Sequence, residues 1–222
     1  MPEQTGFLCS ILKPETMIRN RQDAAEKLTE RLRKYEGENG IVLAIPRGGI
    51  PIGAYIAKEL GFPVEVILSK KIGHPGNPEF AIGAVSMDSV EVNENLPVPK
   101  EYIEKETRKI QEELKRRYQL FMGNHQPADL HNKLVILVDD GIATGHTLMA
   151  TILMIKKQNP AKLIVAVPVA PPAAIREFTP KVDELICLLT PPDFYAVGQF
   201  YEDFQQVSDE EVIAALKGNI IW

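Results

Sequence analysis

Short, mostly apolar runs alternate along this 222-residue chain with segments whose apolar residues recur at helical spacing. Residues 41–45, 64–68, 135–138, 163–169 and 184–189 have strand length, and runs hydrophobic on both faces suit parallel strands covered by helices. Between them, residues 23–35, 51–60, 99–122, 147–157 and 173–178 read as helices, and 209–217 as a terminal one. Leu148, Ile152 and Ile155 form one stripe of the 147–157 helix. In the 99–122 helix, Ile103, Ile110, Leu114 and Phe121 fall seven, four and seven residues apart amid charges of both signs. That is the pattern of a core-facing stripe on a solvated helix rather than of a partner-binding surface. Asp23 is placed to cap the first helix, with Leu28 and Leu32 turned inward.

The order strand, helix, strand predicts an α/β fold: an open, mostly parallel twisted sheet flanked by helices, in a single domain with a core of about residues 23–190. Residues 69–83 are rich in glycine and proline and read as a flexible loop, followed by a short stranded stretch near 85–92. In the first twenty residues Phe7, Leu8, Ile11 and Leu12 are available for packing. Ligands of open α/β sheets bind beyond the carboxyl ends of the strands. Arg47, the pair Lys70 and Lys71, and residues 139–147 each lie at such an end.

Composition narrows the function. A hydrophobic content of 45% supports one well-formed core, and a net charge of −5 argues against a nucleic-acid surface. Cys9 and Cys187 lie far apart without metal-ligand spacing, so neither a disulfide framework nor a zinc site is expected. No leader pattern opens the chain, and no apolar stretch approaches the roughly 20 residues that cross a bilayer. A cytoplasmic protein without membrane partners is the expectation.

The most informative stretch is Val135-Ile136-Leu137-Val138-Asp139-Asp140-Gly141-Ile142-Ala143-Thr144-Gly145-His146-Thr147. A strand running into a glycine-bearing turn and a helix start makes a phosphate site, because free N–H groups and the helix dipole point into the turn. Two carboxylates beside it supply acceptors for hydroxyl groups, so the site suits a sugar phosphate. Thr147 is compatible with either a phosphate ligand or a helix cap.

These thirteen residues resemble the phosphoribosyl-diphosphate signature of type I phosphoribosyltransferases. The likeness extends to Pro46-Arg47-Gly48-Gly49, at the place of that family's diphosphate loop, and to residues 69–83, at the place of its flexible loop. Residues 1–22 and 190–222 correspond to the small hood that covers the acceptor. The nearer likeness is to a group of bacterial members of unsettled acceptor, through Lys70-Lys71-Ile72-Gly73-His74-Pro75-Gly76-Asn77-Pro78-Glu79 and Phe194-Tyr195-Ala196-Val197-Gly198.

The resemblance implies an enzyme of nucleotide metabolism that uses 5-phosphoribosyl 1-diphosphate and magnesium (Mg2+) to ribosylate a nitrogenous heterocyclic acceptor, with release of diphosphate. A homodimer is compatible with it. Ala143, Thr144, Gly145, His146 and Thr147 would cradle the 5-phosphate. Asp139 and Asp140 would accept from the ribose hydroxyls and meet magnesium, directly or through the bound donor. Arg47 and Gly48 would hold the diphosphate, Lys70 or Lys71 would neutralise it as it leaves, and His74 would join on closure. Tyr195 would stack on the base beside Val197, and Glu202 would assist magnesium or diphosphate. Phe194, Phe200 and Tyr201 are open to a simpler role as core aromatics. Two departures count against a 6-oxopurine acceptor: Ala143 stands where those enzymes carry an aspartate, and Pro171 where they carry a lysine. A non-catalytic sensor of the same donor is the alternative implied.

Overall fold

In the computed structural model, which describes residues 17–93 and 95–220, the apolar runs become strands and the periodic segments helices. The order is α1 (Arg21–Leu32), β1 (Gly40–Ala44), α2 (Gly49–Leu60), β2 (Val64–Val66), β3 (Lys70–His74), β4 (Asn77–Val85), β5 (Val90–Val92), α3 (Lys100–Met122), β6 (Leu134–Val138), α4 (His146–Lys157), β7 (Lys162–Val169), α5 (Pro172–Phe178), β8 (Glu184–Leu189) and α6 (Asp209–Leu216). Five strands form one parallel sheet in the order β2-β1-β6-β7-β8. Ala44 of β1 pairs with Val138 of β6, and Val138 with Ala166 of β7. These pairings bring the ends of β1 and β6 level, while β7 runs on to Val169.

The uniform hydrophobicity of the central strands follows from burial on both faces. Val42, Ile136 and Ile164 pack with Leu28 and Leu32 of α1 and Ile52 and Ile56 of α2. Ile41, Leu43, Val135, Leu137 and Val165 turn the other way, onto Leu148, Ile152 and Ile155 of α4 and Phe178 of α5. Each such side chain contributes about 1.5–3 kcal/mol by leaving water, and the stripe expected on α4 is the one buried.

The first helix is capped differently from the expectation. Its N-cap is Asn20, whose side-chain oxygen accepts from the Asp23 N–H at 3.0 Å. Asp23 sits inside the first turn, where it accepts from Arg19 at 2.8 Å and pairs with Lys27 at 3.0 Å. A second correction concerns residues 69–83. The segment expected as a flexible loop is built of paired strands: β3 and β4 pair antiparallel, and β5 adds a third strand. The glycines there permit close approach. A Cβ on Gly73 would lie 2.5 Å from the Pro78 carbonyl oxygen, and one on Gly83 would lie 2.3 Å from that of Glu91. Proline is tolerated in β4 because register shifts between Ile72 and His74 leave it beside a bulge. The stretch near 85–92 is likewise two strand ends joined by a turn at Ser86 to Ser89.

The stripe of α3 is core-facing. Ile110, Leu114 and Phe121, joined by Tyr118, pack on Ile72, Ile82 and Val85 of the hairpin sheet, while Ile103 is only partly buried. The terminal α6 enters the same cluster through Val212 and Ala215. Its capping box, with Ser208 Oγ accepting from the Glu211 N–H and Glu211 accepting from the Ser208 N–H, fixes its start. Among the described residues no helix is long and apolar enough to cross a membrane, and Cys187 is a free thiol. Phe7, Leu8, Cys9, Ile11, Leu12 and the rest of the 1–16 part of the expected hood lie outside the described residues.

Candidate active site at the carboxyl ends of the strands

The sheet register sets the turn after β1 against the turn after β6. The Ile45 N–H donates to the Val138 carbonyl at 2.9 Å, drawing Pro46-Arg47-Gly48-Gly49 alongside Asp139. The Pro46–Arg47 peptide is cis. Glycine is needed at the contact. A Cβ on Gly49 would stand 2.9 Å from the Asp139 Cα, and one on Gly48 only 1.7 Å from Asp140 Oδ2. Arg47 is half-buried, its Nη1 3.8 Å from Asp209 Oδ1 at the start of α6.

The loop between β6 and α4 is anchored below and open above. Ile142 is buried and its N–H donates to the Val169 carbonyl at 2.9 Å, whereas Ala143, Thr144, His146 and Thr147 are exposed. Gly145 is the N-cap at φ 71°, and a Cβ there would meet the Phe178 ring at 2.5 Å. No side chain caps this helix, so the Thr147 hydroxyl is not used as a cap. The first bond to close is Met149 N–H to the Gly145 carbonyl at 2.8 Å, which leaves the N–H groups of His146, Thr147 and Leu148 without intrahelical acceptors. Their dipoles and that of α4 favour an anion at the loop.

The two acids are unlike each other. Asp139 accepts from the Asp140 N–H at 2.8 Å, and its carboxyl is held well above the usual range by burial and then by the charge of Asp140. Asp140 faces a cation: Arg21 donates to its Oδ2 from Nη2 at 2.7 Å and from Nε at 3.2 Å. The Tyr201 hydroxyl donates to the Asp140 carbonyl at 2.8 Å, and burial pushes that phenol up. Arg21 was not among the residues singled out in the sequence. One signal was there: arginine in the first turn of a helix, where the dipole disfavours a cation.

The hairpin sheet supplies the remaining basic groups. Lys71 lines a cleft of about 370 Å³ with Ile82, Thr144, Gly145, His146 and Met149. Lys70 is exposed and donates to Glu113 of α3 at 2.7 Å. His74 lies at the hairpin turn, its Nδ1 accepting from the Gly76 N–H at 3.1 Å. On the opposite side, Val197 packs so closely that a Cβ on Gly141 would lie 2.6 Å from it. Tyr195 is 88% exposed, while Phe200 and Tyr201 are buried core aromatics. Phe194 stacks on Phe200 at 5.2 Å between ring centroids. Glu202 is exposed, and its charge bears on Arg19. Larger cavities, of about 910 and 460 Å³, are lined by neither the acids nor residues 143–147.

Comparison with known proteins bears on this arrangement directly. The phosphoribosyl transferase domain family matches residues 16–205, a span that runs from before α1 to beyond Tyr201. The chain belongs to the phosphoribosyl transferase domain family. This is a pentosyltransferase family, and the parallel sheet with flanking helices is the fold expected of it. Two Mycobacterium tuberculosis proteins, from strains CDC 1551 / Oshkosh and ATCC 25618 / H37Rv, carry provisional phosphoribosyl transferase names; each is 37% identical over 202 residues, or 89% of this chain. The chain spans 46% of the length of these curated relatives. The crystal structure of TT1426 from Thermus thermophilus is 35% identical, with a TM-score of 0.82 over 92% of this chain and 99% of that one. The phosphoribosyl transferase match encloses every candidate site residue from Arg21 to Glu202.

Proposed function

We propose that this chain transfers phosphoribose from 5-phosphoribosyl 1-diphosphate to a nitrogenous heterocyclic acceptor and releases diphosphate. The observation that supports the reading is the contact of Gly48 with Asp140 and of Gly49 with Asp139, which sets the Arg47 turn against the acid pair. In this reading the N–H groups of the 143–147 loop and the hydroxyls of Thr144 and Thr147 bind the 5-phosphate. Asp139 and Asp140 orient the ribose through its hydroxyls, and Arg47 with the amides near Gly48 binds the diphosphate.

Cleavage of the anomeric carbon–oxygen bond leaves positive charge on the ribose ring and negative charge on the diphosphate, as in glycoside cleavage. Lys71, which lines the same cleft as Thr144 and His146, is in this reading the cation that offsets that negative charge. The acceptor nitrogen attacks the opposite face of the ring, with Tyr195 and Val197 in this reading on the acceptor side. The protein's part is positioning and neutralising, with no covalent bond to substrate.

Magnesium fits as an ion carried by the donor. Among the described residues no three carboxylate, histidine or cysteine groups form a cage, and magnesium is commonly held by one or two carboxylates plus substrate phosphates. Asp139 and Asp140 are the residues to meet it, and bound there it would withdraw charge from the leaving diphosphate.

A non-catalytic sensor of the same donor has no need of a cation for the leaving group, so a requirement for Lys71 in diphosphate release would favour transfer. Ala143 and Pro171 argue against a 6-oxopurine acceptor. The test is incubation with donor, magnesium and a panel of bases, reading diphosphate release. Release with one or more bases other than hypoxanthine and guanine is expected. Donor binding without release for any base would replace the enzyme reading by the sensor.

A further inference from the structure

We propose that Arg21 is a positioning residue that ties the 201–205 segment to the donor acid Asp140, so that the acceptor-side cover and the donor site respond to ligand as one unit. The proposal rests on the phosphoribosyltransferase reading above and assigns a residue to it that lies outside the donor motif.

The Arg21 guanidinium is engaged along its edges and on its face, and its side chain is only 11% exposed. Nη2 and Nε both donate to Asp140 Oδ2, at 2.7 and 3.2 Å, across 119 residues of sequence. Nη1 donates to the Gln205 carbonyl at 2.7 Å, across 184 residues. The guanidinium carbon lies 4.1 Å from the centroid of the Phe204 ring. One side chain thus grips the acid and the segment that follows Tyr201. A planar, five-donor fork can do this, and an ammonium cannot reproduce both the in-plane bonds and the stacking.

A second tie runs in parallel. The Tyr201 hydroxyl donates to the Asp140 main-chain carbonyl at 2.8 Å, and its ring lies 4.8 Å from that of Phe204. The segment therefore holds both the backbone and, through Arg21, the carboxylate of Asp140. On its far side the same carboxylate fills the space above Gly48. A displacement of Asp140 on ribose binding would have to pass either into the diphosphate turn or into Arg21 and the 201–205 segment.

Packing alone does not require this device. A buried ion pair is costly to desolvate, and apolar side chains of similar volume commonly stabilise a fold as well or better. What the arginine adds is charge next to two adjacent carboxylates. It offsets their mutual repulsion and holds one of them in a fixed direction.

The experiment compares wild type, Arg21→Lys, Tyr201→Phe and Arg47→Ala by calorimetric titration with 5-phosphoribosyl 1-diphosphate and magnesium. Hydrogen exchange of residues 201–207 is followed with and without donor. In wild type, donor should slow exchange both in the 143–147 loop and in 201–207. In Arg21→Lys, donor affinity should fall about tenfold, with the loop still protected and the protection of 201–207 lost. Tyr201→Phe removes one hydroxyl while keeping the ring, and should reduce the same protection without unfolding the chain. Transmission of protection to 201–207 in both variants as in wild type would overturn the proposal while leaving the donor site intact. If wild type itself does not bind the donor, the functional reading fails and the coupling falls with it. If only Arg47→Ala loses affinity and 201–207 never responds, the donor reading stands and Arg21 is a structural staple only.

Discussion

Substituting Gly48 by alanine tests the central contact of the site with a single methyl group. The added Cβ would lie 1.7 Å from Asp140 Oδ2 and 2.4 Å from its Cγ, so the carboxylate has to leave. Ordinary contact requires roughly 3.4 Å or more between such atoms, so Oδ2 cannot keep its present bond from an Arg21 nitrogen now 2.7 Å away. Losing a hydrogen bond between charged groups costs about 1.5–3 kcal/mol. The Asp140 side chain is 17% exposed, so water recovers part of this, and the lower half of that range applies. Donor affinity should therefore fall about tenfold, and fold stability by ~1–2 kcal/mol. Gly61→Ala is the control. At φ 71° with nothing within 4 Å of its Cβ, it should cost about 1 kcal/mol of stability through backbone strain and leave donor binding unchanged. Titration calorimetry with the donor and urea unfolding read the two quantities. A Gly48→Ala protein that binds donor within about twofold of wild type would refute the reasoning.

Lys71→Ala should lower kcat for transfer by about a hundredfold with a smaller change in donor KM, as expected for charge needed mainly at the leaving group, while Lys70→Ala should have little effect; steady-state kinetics with both variants decides. Gly145→Ala strains a residue at φ 71° and drives a methyl group to 2.5 Å from the Phe178 ring; a loss of ~2 kcal/mol in urea unfolding, together with weaker donor binding, is expected. Glu65 is 9% exposed and accepts from the Tyr118 hydroxyl at 2.8 Å and the Ala128 N–H at 2.9 Å. Burial outweighs these donors and raises its carboxyl above the ordinary 4.5. A raised carboxyl favours the fold while protonated, and that contribution is lost as pH rises from 4.5 through the folded value. The stability of Glu65→Gln relative to wild type should therefore increase as pH rises above about 4.5, and a difference independent of pH in urea titrations would contradict it.

What could be read from the sequence follows the range of the interactions. The strands were legible because β1 and β6 are buried throughout and nothing but apolar residues fits there. The donor motif was legible because strand, acids, loop and helix start are contiguous. The hairpin was not, since glycine and proline signal both looseness and close approach, and only the partner strand distinguishes Gly73 and Gly83 from loop glycines. Asn20 and Asp23 are both good caps; the choice falls to Asn20 because Asp23 is committed to Arg19 and Lys27. The pairings of Arg21 with Asp140 and Gln205, and of Tyr201 with Asp140, were hidden for another reason. They join residues 119, 184 and 61 positions apart, and no local pattern records such pairing.

A crystal structure with 5-phosphoribosyl 1-diphosphate and magnesium bound tests the account most directly. The 5-phosphate should lie on the N–H groups of residues 143–147, the ribose hydroxyls at Asp139 and Asp140, and the diphosphate beside Arg47 and Lys71. A donor bound away from the acids, or in the reverse direction with its 5-phosphate beside Arg47, would contradict it.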